Sequence, residues 1–322
     1  MTEHVTRLAP SPTGALHLGN ARTFLVNWLL ARKRGWRVLM RVEDLDGPRV
    51  KGEAADQMLQ ELRWLGLQWQ EPIVRQSQRG AAYQAALDHL TQAGHAYPCV
   101  CSRADIAMAA SAPHGEDAWA AYPGTCRDRF GSAADAAGAS GRPVAWRLRV
   151  GEAPVTVHDE FAGPRQFKLA ETCGDFVIFK NDGVAAYQLA VVVDDAAGGV
   201  DAIVRGDDLL ESAARQSRLR RLLGLSPEPK HWHLPLVVGP DGRRLAKRHG
   251  DTRLERYRRA GTSRQRLLGL LGHWCGLIDR RRECTMEELL DRFDLARLPR
   301  QAITFTRQDD EFLLGGAGAK SS

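Results

Sequence analysis

APSPTGALHLGNARTF, residues 9–24, is the stretch on which the reading of the chain turns. Two prolines, two glycines and one histidine lead directly into a long pattern in which Phe24, Leu25, Trp28 and Leu29 recur at helical spacing. Before the stretch, HVTRLA (4–9) reads as a strand; after it, a helix is predicted from about Ala21 to Arg34, stopped by Gly35. WRVLMRVE (36–43) is the next strand. Strand, loop, helix, strand predicts an open parallel sheet, in which ligands gather at the carboxyl ends of the strands. Gly14 and Gly19 remove side chains where a ligand has to approach the backbone. The helix that follows offers unpaired N–H groups and a positive dipole end to a phosphate, with His17 and Asn20 beside them. A glycine-containing turn with a surface histidine is the alternative for this stretch alone, since its spacing matches neither GxGxxG nor a Walker A loop.

Composition narrows the field. The 322 residues allow one large domain or two modest ones. A charged fraction of 26% beside 43% hydrophobic residues describes an ordinary soluble chain, and a net charge of +6 suits a polyanionic partner without requiring one. MTEHVTRLAP lacks the apolar centre of a signal peptide, and no apolar run is long enough to span a membrane, so a cytoplasmic location is expected. Six cysteines in such a chain are expected to be reduced. Cys99, Cys101 and Cys126 cluster, whereas Cys173, Cys275 and Cys284 are scattered.

Along the chain, two more helical patterns cover 52–66 and 78–94. From about 98 to 175 the pattern changes to short strands (VAWRLRV, VTVHDEF, DFVIFK) among Gly- and Ala-rich segments, with GSAADAAGASGRP (131–143) predicted as a surface loop. AYQLAVVVDDA and AIVRG have the character of buried strands that rejoin the first sheet. The expected organisation is a first catalytic half over 1–97, an insertion over 98–175, a second half over 176–250, a helical, arginine-rich region over 251–314, and a disordered tail over 315–322.

A second segment, LPLVVGPDGRRLAKRHGD (234–251), raises the specificity of the first. An apolar strand runs into a Pro-Asp-Gly turn and then a basic loop, from which Lys247 can reach phosphates as a point charge, with Arg244 and Arg248 beside it. Alone it reads equally as a solvated turn. Together, HLGN and RLAKR resemble the paired HIGH and KMSKS signatures of class I aminoacyl-tRNA synthetases. Arg244 stands for the first lysine and Ala246 for the serine; Lys247 matches the second lysine. The resemblance implies a Rossmann-like α/β catalytic core in which His17 and Lys247 are catalytic, and His17, Gly19, Asn20, Arg244 and Lys247 bind ATP, with Mg²⁺ accompanying the nucleotide.

RLAPSPTGALHLGNARTFLVNWLLAR, RVEDLD and DFVIFKNDGVAAYQLAVVVDDAAGGVDAIVRGDDLL are similar to the glutamyl-tRNA synthetase branch of that class. A glutamate site needs cations for two carboxylates and an anion for the ammonium. The resemblance assigns these tasks to Arg7, Ser11, Glu43, Tyr187 and Arg205, with Glu43 at the α-amino group; taken singly, Arg7 and Arg205 read as surface residues and Tyr187 as a packing aromatic. Cys99, Cys101 and Cys126 can hold a structural Zn²⁺, which takes four ligands. Glutamyl-queuosine tRNA(Asp) synthetases, a short family of this branch, complete the set with a tyrosine four residues before the last cysteine, here Tyr122; Asp128 and His114 are the fallbacks.

About seventy residues follow Lys247, too few for an anticodon-binding domain. That, too, resembles the short family, which activates L-glutamate with ATP and transfers it to queuosine in the anticodon of tRNA(Asp). The rivals are a glutamyl-tRNA synthetase lacking its anticodon domain and charging tRNA(Glu), and a non-catalytic tRNA-binding paralogue. Arg253, Arg256, Arg258, Arg259, Arg264 and Arg266 are candidate phosphate contacts, or else a solvated helix face.

Overall fold

The computed structural model describes residues 4–12, 15–45, 52–109, 121–243, 245 and 250–315. In chain order the elements are β1 (Val5–Leu8), α1 (Leu18–Arg34), β2 (Arg37–Val42), α2 (Gly52–Leu65), β3 (Gln70–Arg75), α3 (Gly80–Gln92), β4 (Ala96–Cys99), α4 (Arg103–Ala109), α5 (Ala133–Ser140), β5 (Ala145–Leu148), β6 (Val155–Val157) and β7 (Arg165–Phe167). There follow α6 (Leu169–Thr172), β8 (Val177–Phe179), α7 (Tyr187–Ala197), β9 (Ala202–Gly206), α8 (Leu210–Leu222), β10 (Lys230–Leu234), β11 (Val237–Val238), α9 (Leu254–Arg259), α10 (Arg264–Trp274), α11 (Met286–Arg292), β12 (Ile303–Thr304) and α12 (Arg307–Leu313).

These elements form two compact units. One comprises Met1–Arg75, Val200–Leu209 and His231–Ser322; the other comprises Gln76–Gly199 and Leu210–Lys230. In the first unit, β1, β2 and β3 pair in that order, all parallel. Every residue of β1 is buried, as expected of a central parallel strand. β9 is held beside β1 by the Asp201 N–H on the Val5 carbonyl (3.1 Å) and the Val5 N–H on the Asp201 carboxylate (2.8 Å). β9 also pairs with β10. α1 covers this sheet with Leu18, Ala21, Leu25, Val26 and Leu29 buried. Its last turn, Arg32-Lys33-Arg34, complements the negative dipole end, and Gly35 closes it at φ 67°, a left-handed conformation that favours glycine.

The helix begins at Leu18, three residues earlier than its apolar spacing predicts, because His17 caps it: Nδ1 accepts the Asn20 N–H at 3.4 Å. A second difference lies after Leu236. The ITF segment, which carries no strand signal, adds a two-residue parallel strand, β12, to β11, with the Ile303 N–H on the Leu236 carbonyl and the Phe305 N–H on the Val238 carbonyl.

In the second unit, β4, β5 and β8 form an antiparallel sheet and β6–β7 a hairpin. The expected strands within VAWRLRV, VTVHDEF and DFVIFK are present. GSAADAAGASGRP is not a loop: Ala133–Ser140 form α5, capped by the Ser132 hydroxyl accepting the Asp135 N–H (3.1 Å) and closed by Gly141 at φ 64°. AYQLAVVVDDA is not a strand either. It forms α7, whose Leu189, Ala190, Val191 and Val192 are all buried. Asp194, on the same helix, is buried and accepts from Gln76 Nε2 (2.8 Å), Tyr83 Oη (2.8 Å) and Arg79 Nε (2.5 Å). A helix buried on several faces loses the polar stripe that betrays helical period, and its valines then imitate a strand.

Candidate active site and metal centre

The first signature lies where β1 turns into α1. A Cβ on Gly19 would stand 3.2 Å from the His17 ring and 3.5 Å from Val237 Cβ. Gly19 therefore lets the imidazole fold against the first helical turn and lets β11 approach it. β11 is the strand that leads into the basic loop. Past it, the predicted Pro240-Asp241-Gly242 turn is present, with the Gly239 N–H on the Arg243 carbonyl (2.8 Å) and Gly242 at φ 72°.

Arg244, Ala246, Lys247 and Arg248 lie outside the described residues, as do Gly14, His114 and 316–322. Beyond the loop the chain returns directly to the first signature. The Leu18 N–H donates to the Thr252 carbonyl (3.0 Å), the Leu254 N–H donates to the Leu16 carbonyl (2.9 Å), and His17 bridges Arg253 in antiparallel register. Both flanks of RLAKR thus meet HLGN, one through Val237 and one through Thr252–Leu254. Asp251, at this junction, accepts from the Arg253 backbone and guanidinium, which hold its carboxyl down at about 2.

Four of the five residues assigned to glutamate gather in the same unit. Arg7 is buried on β1, and its carbonyl accepts Asn27 Nδ2 (2.9 Å). Ser11 follows Pro10, whose carbonyl accepts the Glu43 N–H (3.0 Å), so the loop after β1 is tied to the residue that ends β2. The Glu43 carboxylate is paired with Arg41 at 2.8 Å. Arg205, buried on β9, donates through Nε to His233 Nε2 (3.0 Å) and through Nη2 to the Leu209 carbonyl (3.3 Å). Tyr187 stands in the other unit as the first residue of α7, 37% exposed.

Three sulfurs converge in the second unit. Those of Cys99, Cys101 and Cys126 lie within 4.8 Å of one another, and Cys101 and Cys126 are 3.5 Å apart. Tyr122 Oη lies 3.4 Å from Cys99 Sγ and 3.7 Å from Cys101 Sγ, and accepts the Cys126 N–H at 2.8 Å. A tetrahedral zinc with Zn–S near 2.3 Å separates its sulfurs by about 3.8 Å, so these donors are spaced for one ion. Burial pushes the Cys101 thiol up to about 12 and the Tyr122 phenol well above the usual phenol range. Burial acts against Cys126 too, but the Val100 N–H and the surrounding phenol and thiols hold its thiol below the ordinary value. Asp128 does not join the set: its side chain is 74% exposed and pairs with Arg149 at 2.7 Å.

Residues 3–310 match the family model for the catalytic domain of class I tRNA synthetases (E and Q). The chain belongs to this family of ligases. It is 46% identical to the glutamyl-Q tRNA(Asp) synthetase of Symbiobacterium thermophilum, over 96% of this chain and 98% of that protein. It is 49% identical to the protein of that name from Nocardia farcinica, with 93% and 92% covered, and 42% identical to that from Rhodopirellula baltica, with 94% and 96% covered. Among solved structures, it shares the fold of a glutamate tRNA ligase from Elizabethkingia meningosepticum, crystallised with its amino acid. The TM-score is 0.80 at 23% identity, over 97% of this chain and 69% of that one.

Within this class I synthetase, the structure adds residues that sequence reasoning passed over. His233 orients Arg205, and Arg41 pairs with Glu43; both are polar residues inside strands, indistinguishable in sequence from surface positions. Arg22, fully buried on α1, donates to the Pro235 carbonyl at 2.8 Å and ties the helix to the segment before β11. Its position in register with Leu18 and Leu25 on a buried face was the available signal. The arginines put forward for RNA all have partners in the protein. Arg253 pairs with Asp251, Arg256 with Asp310, Arg259 with Glu255 and Arg266 with Glu283; Arg258 stacks near Trp64, and Arg264 packs over Gly66. Among the described residues, no helix is long and apolar enough to cross a membrane.

Proposed function

We propose that this chain activates L-glutamate with ATP and transfers the glutamyl group to the queuosine base of tRNA(Asp). The observation that carries the activation half is the meeting of HLGN with both flanks of RLAKR. In the first step the glutamate carboxylate attacks the α-phosphorus of ATP, and pyrophosphate leaves. The work of the protein is to align the reactants and neutralise charge. In this reading His17, Gly19 and Asn20 receive the triphosphate at the helix start, and Arg244 and Lys247 close on it. Mg²⁺ travels with the nucleotide. Arg7, Tyr187 and Arg205 share the glutamate carboxylates, Ser11 lines the same pocket, and Glu43, shared with Arg41, takes the ammonium.

In the second step a hydroxyl of the cyclopentenediol attacks the adenylate carbonyl, an ester forms and AMP leaves. Relatives of nearly the same length that bear the name glutamyl-Q tRNA(Asp) synthetase support this acceptor. A tRNA substrate in turn supports a cytoplasmic location. Cys99, Cys101, Cys126 and Tyr122 would hold one Zn²⁺ in a structural role, fastening β4 to the 122–126 turn.

Labelled glutamate, ATP and either tRNA(Asp), with or without queuosine, or tRNA(Glu) test the proposal. Label is expected only on queuosine-bearing tRNA(Asp), and glutamate-dependent pyrophosphate exchange is expected without RNA. Label on tRNA(Glu) would overturn the acceptor; absence of exchange would overturn the activation.

A further inference from the structure

Arg147 lies in the middle of the antiparallel sheet of the second unit, 7% exposed. Its guanidinium stacks on the Tyr122 ring, 3.8 Å from the centroid; Nε donates to Cys99 Sγ (3.2 Å) and Nη1 to the Asp175 carbonyl (2.7 Å). Among the described residues it makes no ion pair with a carboxylate. The Asp175 carboxylate is engaged instead by Tyr97, Arg127 and the Val150 N–H. A buried guanidinium whose partners are a thiol, a carbonyl and a ring is costly unless negative charge arrives beside it.

We infer that Arg147 is the positioning countercharge of the metal centre, which it serves by holding the Tyr122 ring and the Cys99 sulfur in place as ligands. The inference rests on the reading of these four residues as a zinc site. Three thiolates and a phenolate around a divalent ion leave two surplus negative charges, and Arg147 touches two of the four donors. Stacking fixes the tilt of the ring, so that Oη faces the sulfurs of Cys99 and Cys101. The Nε hydrogen bond fixes the Cys99 sulfur in the same way, as outer-shell donors do for metal ligands generally. Lysine has neither the planar face nor the fork that lets one side chain do both.

The test uses the full chain. Zn²⁺ affinity is measured by chelator competition, and Co²⁺ is substituted to read its ligand-field and sulfur charge-transfer bands. Arg147→Gln is expected to weaken Zn²⁺ binding by about 10- to 100-fold and to change the Co²⁺ spectrum, with Arg147→Lys intermediate. In a Tyr122→Phe background, Arg147→Gln should cost clearly less, since part of its partner is gone. If Arg147→Gln does not fold, the comparison of Arg147→Lys with wild type, alone and with Tyr122→Phe, carries the same readouts. Unchanged affinity and spectrum, or costs that simply add, would overturn the role of Arg147 while leaving the zinc site standing. A wild-type chain that takes up no stoichiometric metal would overturn the zinc reading, and this inference with it.

Discussion

Single side chains at the first signature do two jobs at once. His17 caps α1 through Nδ1, a structural task, while its backbone bridges the segment that follows the basic loop. Gly19 serves both, since its missing Cβ gives space to the imidazole and to Val237. Gly19→Ala should therefore leave the fold intact, alanine being the better helix residue, yet displace His17 or β11 by a few tenths of an ångström. Pyrophosphate exchange is expected to fall by roughly 10- to 100-fold, as misplacement of reacting groups does. Wild-type exchange would show that this contact is idle. Arg205 offers a second case. With its Nε acceptor removed, His233→Ala should raise the KM for glutamate about 10-fold, the loss of one charge-assisted hydrogen bond, and leave the KM for ATP unchanged. His233→Gln, whose amide oxygen can accept, should recover part of the loss.

Elements show where sequence reading reaches and where it stops. β1, α1, β2 and the Pro-Asp-Gly turn were legible because local pattern and fold agree there. α7 was not, because a helix buried on several faces loses its polar stripe, and β12 was not, because two residues gain strand character only from a distant partner. The residues proposed for glutamate on β1, after β2 and on β9 were put forward through the resemblance, but their partners Arg41 and His233 were not, since pairing across strands leaves no local trace. Between α2 and α9 lies a further feature that composition hides. Glu61 is buried on α2, and burial lifts its carboxyl from 4.5 to about 7, with the nearby Glu255 adding to the rise and Gln57, Arg258 and Arg253 working against it. A raised carboxyl binds its proton more tightly in the folded chain than in the unfolded one. Stability should then be highest below pH 4.5 as far as this group is concerned, and fall as pH rises from about 4.5 to 7. Glu61→Gln should remove that slope and make the protein more stable than wild type at pH 8 by about 1–3 kcal/mol. Urea unfolding of both proteins across this range measures it, and parallel pH curves would rule the effect out.

At the scale of the whole molecule, chemistry is divided between units. HLGN, the flanks of RLAKR, Arg7, Ser11, Glu43 and Arg205 belong to one; Tyr187 and the cysteine cluster belong to the other. The cluster joins the end of β4 to the turn that carries Cys126, and Tyr122 of that turn pairs with Gly174, whose φ of 62° and close approach to the Tyr122 backbone admit no side chain. Beyond the cluster, the segment is held by a small core in which Val100, Ile106 and Phe130 pack on Tyr97 and Tyr122, and by the Arg127–Asp175 ion pair (2.7 Å), so a bound metal would reinforce a core of few side chains. Removing the metal with a strong chelator, or replacing Cys101 by serine, should therefore raise amide exchange in β4, β5 and the 122–130 turn by at least about tenfold, with β1, β2 and β9 unaffected. Glutamate-dependent pyrophosphate exchange should survive better than transfer to tRNA, because Tyr187 is the sole residue proposed for glutamate in the unit that carries the cysteine cluster. Equal loss of protection in both units would mean that the cluster holds the entire chain together, and unchanged protection everywhere would mean that the cysteines are stable without an ion.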